Sequence, residues 1–181
     1  MAVVVAGKRK LTYTEYALIP EDRNRHEIID GDHYVSPAPT IYHQELAARL
    51  YELLRTTFGS TGRGRVLFAP VDVELTETDI VQPDLLVVMA EHDSIVTRTR
   101  IIGAPDLLVE ILSPSNPRYD TVLKLELYRR AGVGEYWIVD PEERQVTVYA
   151  RSEQGLVELP PVHGEVTSPL VGGTVAIQQI W

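Results

Sequence analysis

Two aliphatic runs, Leu85-Leu-Val-Val-Met89 and Leu107-Leu-Val-Glu-Ile-Leu112, constrain this chain more than any other feature. Neither alternates with polar residues, so the strands read over residues 84–89 and 106–112 are buried on both faces, which requires a sheet covered on both sides. Both fall far short of the ~20 apolar residues that a membrane span needs. The elements around them fit such a sheet. Thr12-Tyr-Thr-Glu15 has the pattern of a capping box, opening a short helix that must stop by Pro20. Residues 25–30 and 32–36 are strand-like and flank Asp30-Gly31, a hairpin signal. Leu46, Leu50, Leu53, Leu54 and Phe58 recur at helical spacing, predicting a helix over residues 40–58 that Gly59 stops. Residues 66–75 read as one strand, 118–131 as a second helix ending at Gly132, and 135–140 and 145–150 as later strands. Residues 1–10 read as a lightly paired arm, 113–117 as a break, and the tail to Trp181 as edge strands. This order predicts a mixed α/β fold, with a central sheet flanked by helices and further antiparallel strands. The 181 residues suit one domain.

Composition removes several classes of function. Without Cys there is no disulfide framework, no zinc–thiolate site and no cysteine nucleophile. The apolar run that opens the chain precedes Lys8-Arg9-Lys10, the reverse of a secretory leader, so a cytoplasmic location is expected. A net charge of -9 argues against a protein that coats nucleic acid. It suits a polyanionic partner only where some of the acids surround a metal.

The informative acids are those attached to apolar strands. Asp84 follows Pro83 and precedes the first aliphatic run, and Glu110 lies inside the second. A carboxylate in such a place is costly to desolvate unless it is paired or binds a cation. Two of them at neighbouring strand ends suit one hard divalent ion, Mg²⁺ or Mn²⁺. The structural alternative is that each caps a loop or pairs with an arginine. On the second helix Asp120, Lys124 and Tyr128 lie four residues apart and share a face, while Tyr119, Leu123, Leu127 and Ala131 form an apolar stripe beside them. Lys124 therefore stands at the margin of the buried face, either reaching a site at the strand ends or making an exposed pair with Asp120. Glu27, before the hairpin turn, is a further metal ligand or the polar side of an edge strand. His43, near the start of the long helix, is a site residue or a solvated histidine.

Glu27-Ile-Ile-Asp-Gly31, His43-Gln44, Ala69-Pro-Val-Asp-Val73, Val81-Gln-Pro-Asp-Leu85, Asp106-Leu-Leu-Val-Glu-Ile-Leu-Ser-Pro114 and Gly134-Glu-Tyr-Trp-Ile-Val-Asp-Pro141 follow one another in this order. Together they resemble the Uma2 family (DUF820) of restriction-endonuclease-like proteins, within the PD-(D/E)xK nuclease superfamily, over roughly residues 12–150. The resemblance implies a restriction-endonuclease-like fold and Mg²⁺- or Mn²⁺-dependent cleavage of DNA. It makes Pro83-Asp84 the PD element and Glu110-Ile111-Leu112 the (D/E)xK element, with Leu112 where the superfamily has lysine. The lysine's place is then taken by Lys124 on the following helix, and Glu27 corresponds to the additional upstream acid.

The implied metal ligands are Asp84, Glu110, Glu27 and the Ile111 carbonyl. Lys124 would position water or neutralise the transition state, with Asp120, Tyr128 and His43 in supporting or substrate-contacting roles. Arg118, Arg129, Arg130, Arg63, Arg65, Arg98 and Arg100 are candidate phosphate contacts. By analogy with nucleases of this fold, a homodimer is expected. Two rivals stand beside this reading: a non-catalytic nuclease-fold binding or assembly module, and a metal-dependent hydrolase of a smaller substrate.

Overall fold

The computed structural model describes residues 9–20, 22–113 and 117–181. Most of the arm expected over residues 1–10, and of the break expected over 113–117, therefore lies outside the described residues. A four-residue helix, α1 (Tyr13–Tyr16), begins at Thr12, whose backbone N–H donates to the Glu15 carboxylate at 3.0 Å, as a capping box requires. The hairpin β1 (Arg25–Ile29) and β2 (Asp32–Ser36) turns through Asp30 and Gly31, both at positive φ, the backbone of a tight primed turn. Helix α2 (Ile41–Leu54) starts at Thr40, whose side chain accepts from the His43 N–H, and runs on into a π-helical turn, Arg55–Gly59.

The strand expected over residues 66–75 is two strands. β3 (Gly64–Phe68) and β4 (Val73–Thr76) are separated by a cis Ala69–Pro70 bond and belong to different sheets. Proline has no N–H to give a ladder, so a continuous strand through Pro70 is disfavoured. Then follow β5 (Asp79–Val81), β6 (Leu85–Met89), β7 (Ile101–Ile102) and β8 (Leu107–Ile111). The second helix opens as a π-helical segment, Tyr119–Lys124, and becomes α3 (Leu125–Ala131), stopped at Gly132 with φ 87°. The chain closes with β9 (Glu135–Asp140), β10 (Gln145–Ser152), β11 (Gly155–Glu158), β12 (Val166–Thr167) and β13 (Thr174–Val175).

The strands form a six-stranded mixed sheet, ordered β11-β10-β9-β8-β6-β3, and a five-stranded sheet, ordered β2-β1-β5-β4-β7, with β12 and β13 as a small pair. β8 and β9 run parallel; the other pairs in the six-stranded sheet are antiparallel. Every residue of β6 and β8 is buried, as their unbroken aliphatic character predicts. Alternate side chains supply two different cores. Leu85, Val87, Val109 and Ile111 meet Leu46, Leu50, Leu54 and Phe58 of the long helix. Leu86, Val88 and Leu108 meet Leu127 and Tyr128 of α3 and Ile29, Val73 and Val81 of the five-stranded sheet. Glu110, between Val109 and Ile111, therefore points to the second face, where two sheets and a helix converge.

Candidate functional site

Each element places one side chain at that convergence for a local reason. In β1 the two-residue alternation puts Arg25, Glu27 and Ile29 on one face, and Ile29 joins the core against the six-stranded sheet while Ile28 packs behind with Tyr16 and Ile80. Asp84 stands at the mouth of β6, Glu110 near the end of β8, and Asp120 and Lys124 on the π-helical segment, where the wider turn re-aims side chains relative to a regular helix.

Lys124 Nζ lies 2.7 Å from Glu110 Oε1, 2.9 Å from Glu27 Oε1 and 3.9 Å from Asp120 Oδ1. Tyr128 donates its hydroxyl to Glu110 Oε1 at 2.9 Å, and Tyr119 donates to Glu27 Oε2 at 2.9 Å. Glu27 Oε1 also accepts the Gln82 N–H at 2.8 Å. Asp84 is held separately. Its Oδ1 accepts from Arg25 at 2.7 Å, and its Oδ2 accepts the Ile111 N–H at 2.8 Å and lies 3.1 Å from His43 Nε2. The same His43 nitrogen is 3.2 Å from the Ile111 carbonyl oxygen, so it bridges Asp84 and the β8 backbone.

Four buried carboxyls here face the two permanent cations Arg25 and Lys124, with the His43 imidazole beside them. The shortfall of positive charge appears in the titration. Burial pushes the Glu110 carboxyl up to about 8; Lys124 opposes this, while Asp84, Asp120 and Glu27 add to it by repulsion. Asp120 is raised to about 6, again by burial first. Asp84 goes the other way: burial works to raise it, but His43, Arg25 and the Ile111 N–H together hold it well below the usual carboxylate range. Burial works to lower the values of Lys124 and His43 as well. The acids around Lys124, and Asp84 beside His43, outweigh it and raise both.

The donor set tests the fit of a divalent ion. Carboxylate oxygens and a backbone carbonyl suit Mg²⁺ or Mn²⁺, and the excess of acid over base is charge that such an ion neutralises. In the arrangement described, both Asp84 oxygens carry protein partners, and among the described residues no group of three or more His, Asp or Glu is spaced to hold an ion. The residues fit in chemistry and charge, and uptake of an ion requires Asp84 and Glu110 to exchange a protein partner for it.

A sequence model of the Uma2 family, described as "Putative restriction endonuclease", matches residues 13–176. The chain belongs to the Uma2 family. The Uma2 chain is similar in structure to a protein solved as a putative nuclease belonging to DUF820 from Anabaena variabilis. Their TM-score is 0.76 at 20% identity, over 94% of this chain and 97% of that one. The likeness gives the Uma2 chain a nuclease-like fold. It is also 27% identical to the uncharacterized protein slr1290 of Synechocystis sp. over 149 residues, which cover 81% of this chain and 77% of that relative.

Of the residues singled out in the sequence, the Uma2 fold brings Glu27, Glu110, Asp120, Lys124 and Tyr128 into one network and Asp84, Ile111 and His43 into a second, adjoining it at Glu110-Ile111. The alternative of an arginine partner also holds for Asp84, through Arg25. Most of the arginines expected to contact phosphate are engaged within the protein. Arg65 pairs with Asp93, Arg100 with Glu74, Arg129 with Glu126 and Arg130 with Asp79, while Arg63 donates to the Val171 and Gly172 carbonyls. Apart from Glu126, three residues before Arg129 on the same helix, these partners lie far away in sequence, where spacing gives no warning. Sequence reasoning missed Arg25 and the hydroxyl of Tyr119. Arg25 carried a usable signal, because in a strand the residue two before Glu27 shares its face. Tyr119 carried a misleading one, since it fell on the apolar stripe. Among the described residues no helix is long and apolar enough to cross a membrane.

Proposed function

We propose that this Uma2 protein is a metal-dependent endonuclease that hydrolyses phosphodiester bonds in DNA. The observation that carries the reading is the convergence of Glu27, Asp84, Glu110 and Lys124, from four separate elements, where the sheets meet. A purely structural role gives no reason to bury so many carboxyls at one point, because unpaired burial is costly.

Asp84, Glu110, Glu27 and the Ile111 carbonyl would hold Mg²⁺ or Mn²⁺, which when bound polarises a scissile phosphate and activates water. The chain's own groups do the rest. Lys124, kept protonated by its acids, fixes Glu110 and Glu27 and offsets negative charge that develops nearby. Tyr128 holds Glu110 through the oxygen that faces Lys124, and Tyr119 holds Glu27 through its other oxygen. Asp120, raised to about 6 chiefly by burial, stands beside Lys124 and helps to orient it. A duplex has two strands, so a homodimer with one site per strand accords with this activity. The rival reading, a nuclease-fold binding module, draws on Arg25 and His43 already occupying Asp84.

Plasmid cleavage with Mg²⁺ and with Mn²⁺ decides between them. The wild type should nick or linearise DNA, and chelator or Asp84→Ala should abolish it. Cleavage that survives either treatment overturns the assignment, and a protein that binds but never cuts favours the rival.

A further inference from the structure

The lysine of this site is sealed. The Lys124 side chain is 1% exposed, with Glu110 and Glu27 each at 2%. Its ammonium already faces Glu110, Glu27 and, farther off, Asp120. A phosphodiester arriving from solvent cannot reach it without displacing the protein's own acids. Of the site's carboxylate and basic side chains, those that most reach solvent are Arg25 at 20%, His43 at 15% and Asp120 at 11%. Of these three, Arg25 alone carries a permanent positive charge.

Arg25 is also under-used. Its guanidinium makes one hydrogen bond, from Nη2 to Asp84 Oδ1, among the described residues. A guanidinium carries five N–H donors in a planar fork, so one contact fixes its plane and leaves most of the fork free. The contrast with Arg151 is direct. That side chain is committed to the backbone carbonyls of Val133, Tyr128 and Arg129, the pattern of an arginine that ties elements together. A partly desolvated, half-committed guanidinium at the open side of an acidic site is suited to an oxyanion, which it binds through paired, charge-assisted hydrogen bonds.

We infer that Arg25 is the residue that receives the substrate phosphate: held on Asp84 by one N–H, it presents its remaining donors to a phosphodiester oxygen at the mouth of the site. The inference rests on the nuclease reading and divides the work of the cations, with Lys124 organising the buried acids and Arg25 meeting the nucleic acid. It also accounts for how a chain of net charge -9 approaches DNA at this point, through a local cation set on strand β1.

The test uses the full chain and the variants Arg25→Ala and Arg25→Lys, with thermal unfolding as a check on folding. Three quantities are read: kcat and KM for a fluorescent duplex with Mn²⁺, duplex binding by anisotropy with Ca²⁺, and Mn²⁺ binding by calorimetry without DNA. Loss of one charge-assisted contact corresponds to about 10- to 100-fold in affinity. Arg25→Ala should therefore raise KM and weaken duplex binding by that factor without lowering Mn²⁺ affinity, since it takes a competing cation away from Asp84. Arg25→Lys should recover part of the loss, and added guanidinium at millimolar concentration should rescue Arg25→Ala. If Arg25→Ala proves unfolded, Arg25→Lys carries the same comparison.

A wild type that cuts, beside an Arg25→Ala protein of unchanged KM and duplex affinity, overturns the inference and spares the nuclease reading. A fall in Mn²⁺ affinity with KM unchanged also overturns it, since Arg25 would then only orient Asp84. A wild type that binds duplex through Arg25 without cutting sustains the inference and removes the nuclease reading. A wild type that neither binds nor cuts removes both.

Discussion

The Lys124 ammonium lies 2.7 Å from Glu110 on the six-stranded sheet and 2.9 Å from Glu27 on the five-stranded sheet, so one buried cation joins the two sheets and the helix that carries it. Buried ion pairs of this kind give little net stability, because desolvation offsets the attraction, but breaking one by removing a single partner is costly.

That asymmetry fixes the effect of removing the cation. Lys124→Met leaves Glu27 and Glu110 facing each other and should cost about 3 kcal/mol in urea unfolding. The double variant Lys124→Met with Glu110→Gln should recover a substantial part, since it removes one of the two carboxyls left facing each other. Strict additivity of the two single changes would show that the pair is not coupled.

Stability should fall as pH rises through neutrality. Glu110 titrates at about 8 in the folded chain against an ordinary 4.5, and Asp120 at about 6 against 3.8. The folded state then holds protons that the unfolded chain has released. The stability these groups contribute is complete below their ordinary values, and it is lost as pH climbs through about 6 and then about 8. Asp84 is shifted downward, so its contribution is present above its ordinary value and is lost only in acid. Unfolding free energies from urea titrations between about pH 5 and 9 should decline, by at most about 1.4 kcal/mol per pH unit for each proton. Glu110→Gln should flatten the slope; a rising or level profile for the wild type contradicts these shifts.

A second buried acid has a structural task. Glu135 is fully buried on β9, where it accepts from Leu170 N at 2.6 Å, Val171 N at 3.2 Å, Trp137 Nε1 at 3.0 Å and the Ser168 hydroxyl. Glu135→Ala orphans several of these donors at once and should cost about 3 kcal/mol. Hydrogen exchange should show the amides of β12 and β13 losing protection ahead of the rest of the sheet. Uniform protection across the chain would mean that Glu135 does not anchor the C-terminal segment.

Two glycines either side of Val133 should respond differently to alanine. At Gly134 the added carbon would stand 2.7 Å from the Asp106 carbonyl oxygen, a backbone atom that cannot step aside without disturbing the β8–β9 pairing. At Gly132 nothing lies within 4 Å, and only the left-handed backbone, φ 87°, opposes a side chain. Gly132→Ala should cost about 1 kcal/mol through that strain, and Gly134→Ala up to about 3 kcal/mol through overpacking. Thermal unfolding that reverses this order would sink the steric argument.

The two aliphatic strands, the hairpin and the long helix were legible in the sequence for a simple reason: their information is local. Unbroken aliphatic runs specify β6 and β8, Asp30-Gly31 specifies the turn, and leucines at helical spacing specify α2. Pairing of the Asp84 and Glu110 carboxylates with nearby groups was legible too, because an acid set against an apolar strand must find a partner. Which partner it finds was not. Arg25 reads as one polar residue among several on an amphipathic strand, and only the packing of β1 against the six-stranded sheet brings it to Asp84. The π-helical turn before α3 left no mark either, because it changes the side-chain register without changing the apolar pattern.

What the sequence determined alone is the strongly periodic elements and the presence of costly acids within them, since periodicity and desolvation act residue by residue. Tertiary structure decided how those acids divide their cations. Lys124 is enclosed by two sheets and a helix, while Arg25 and His43 hold Asp84 at the side that reaches solvent. That division depends on distances between elements far apart in the chain. Electrostatic energy depends on those distances and on burial, and neither is set until the sheets close upon each other.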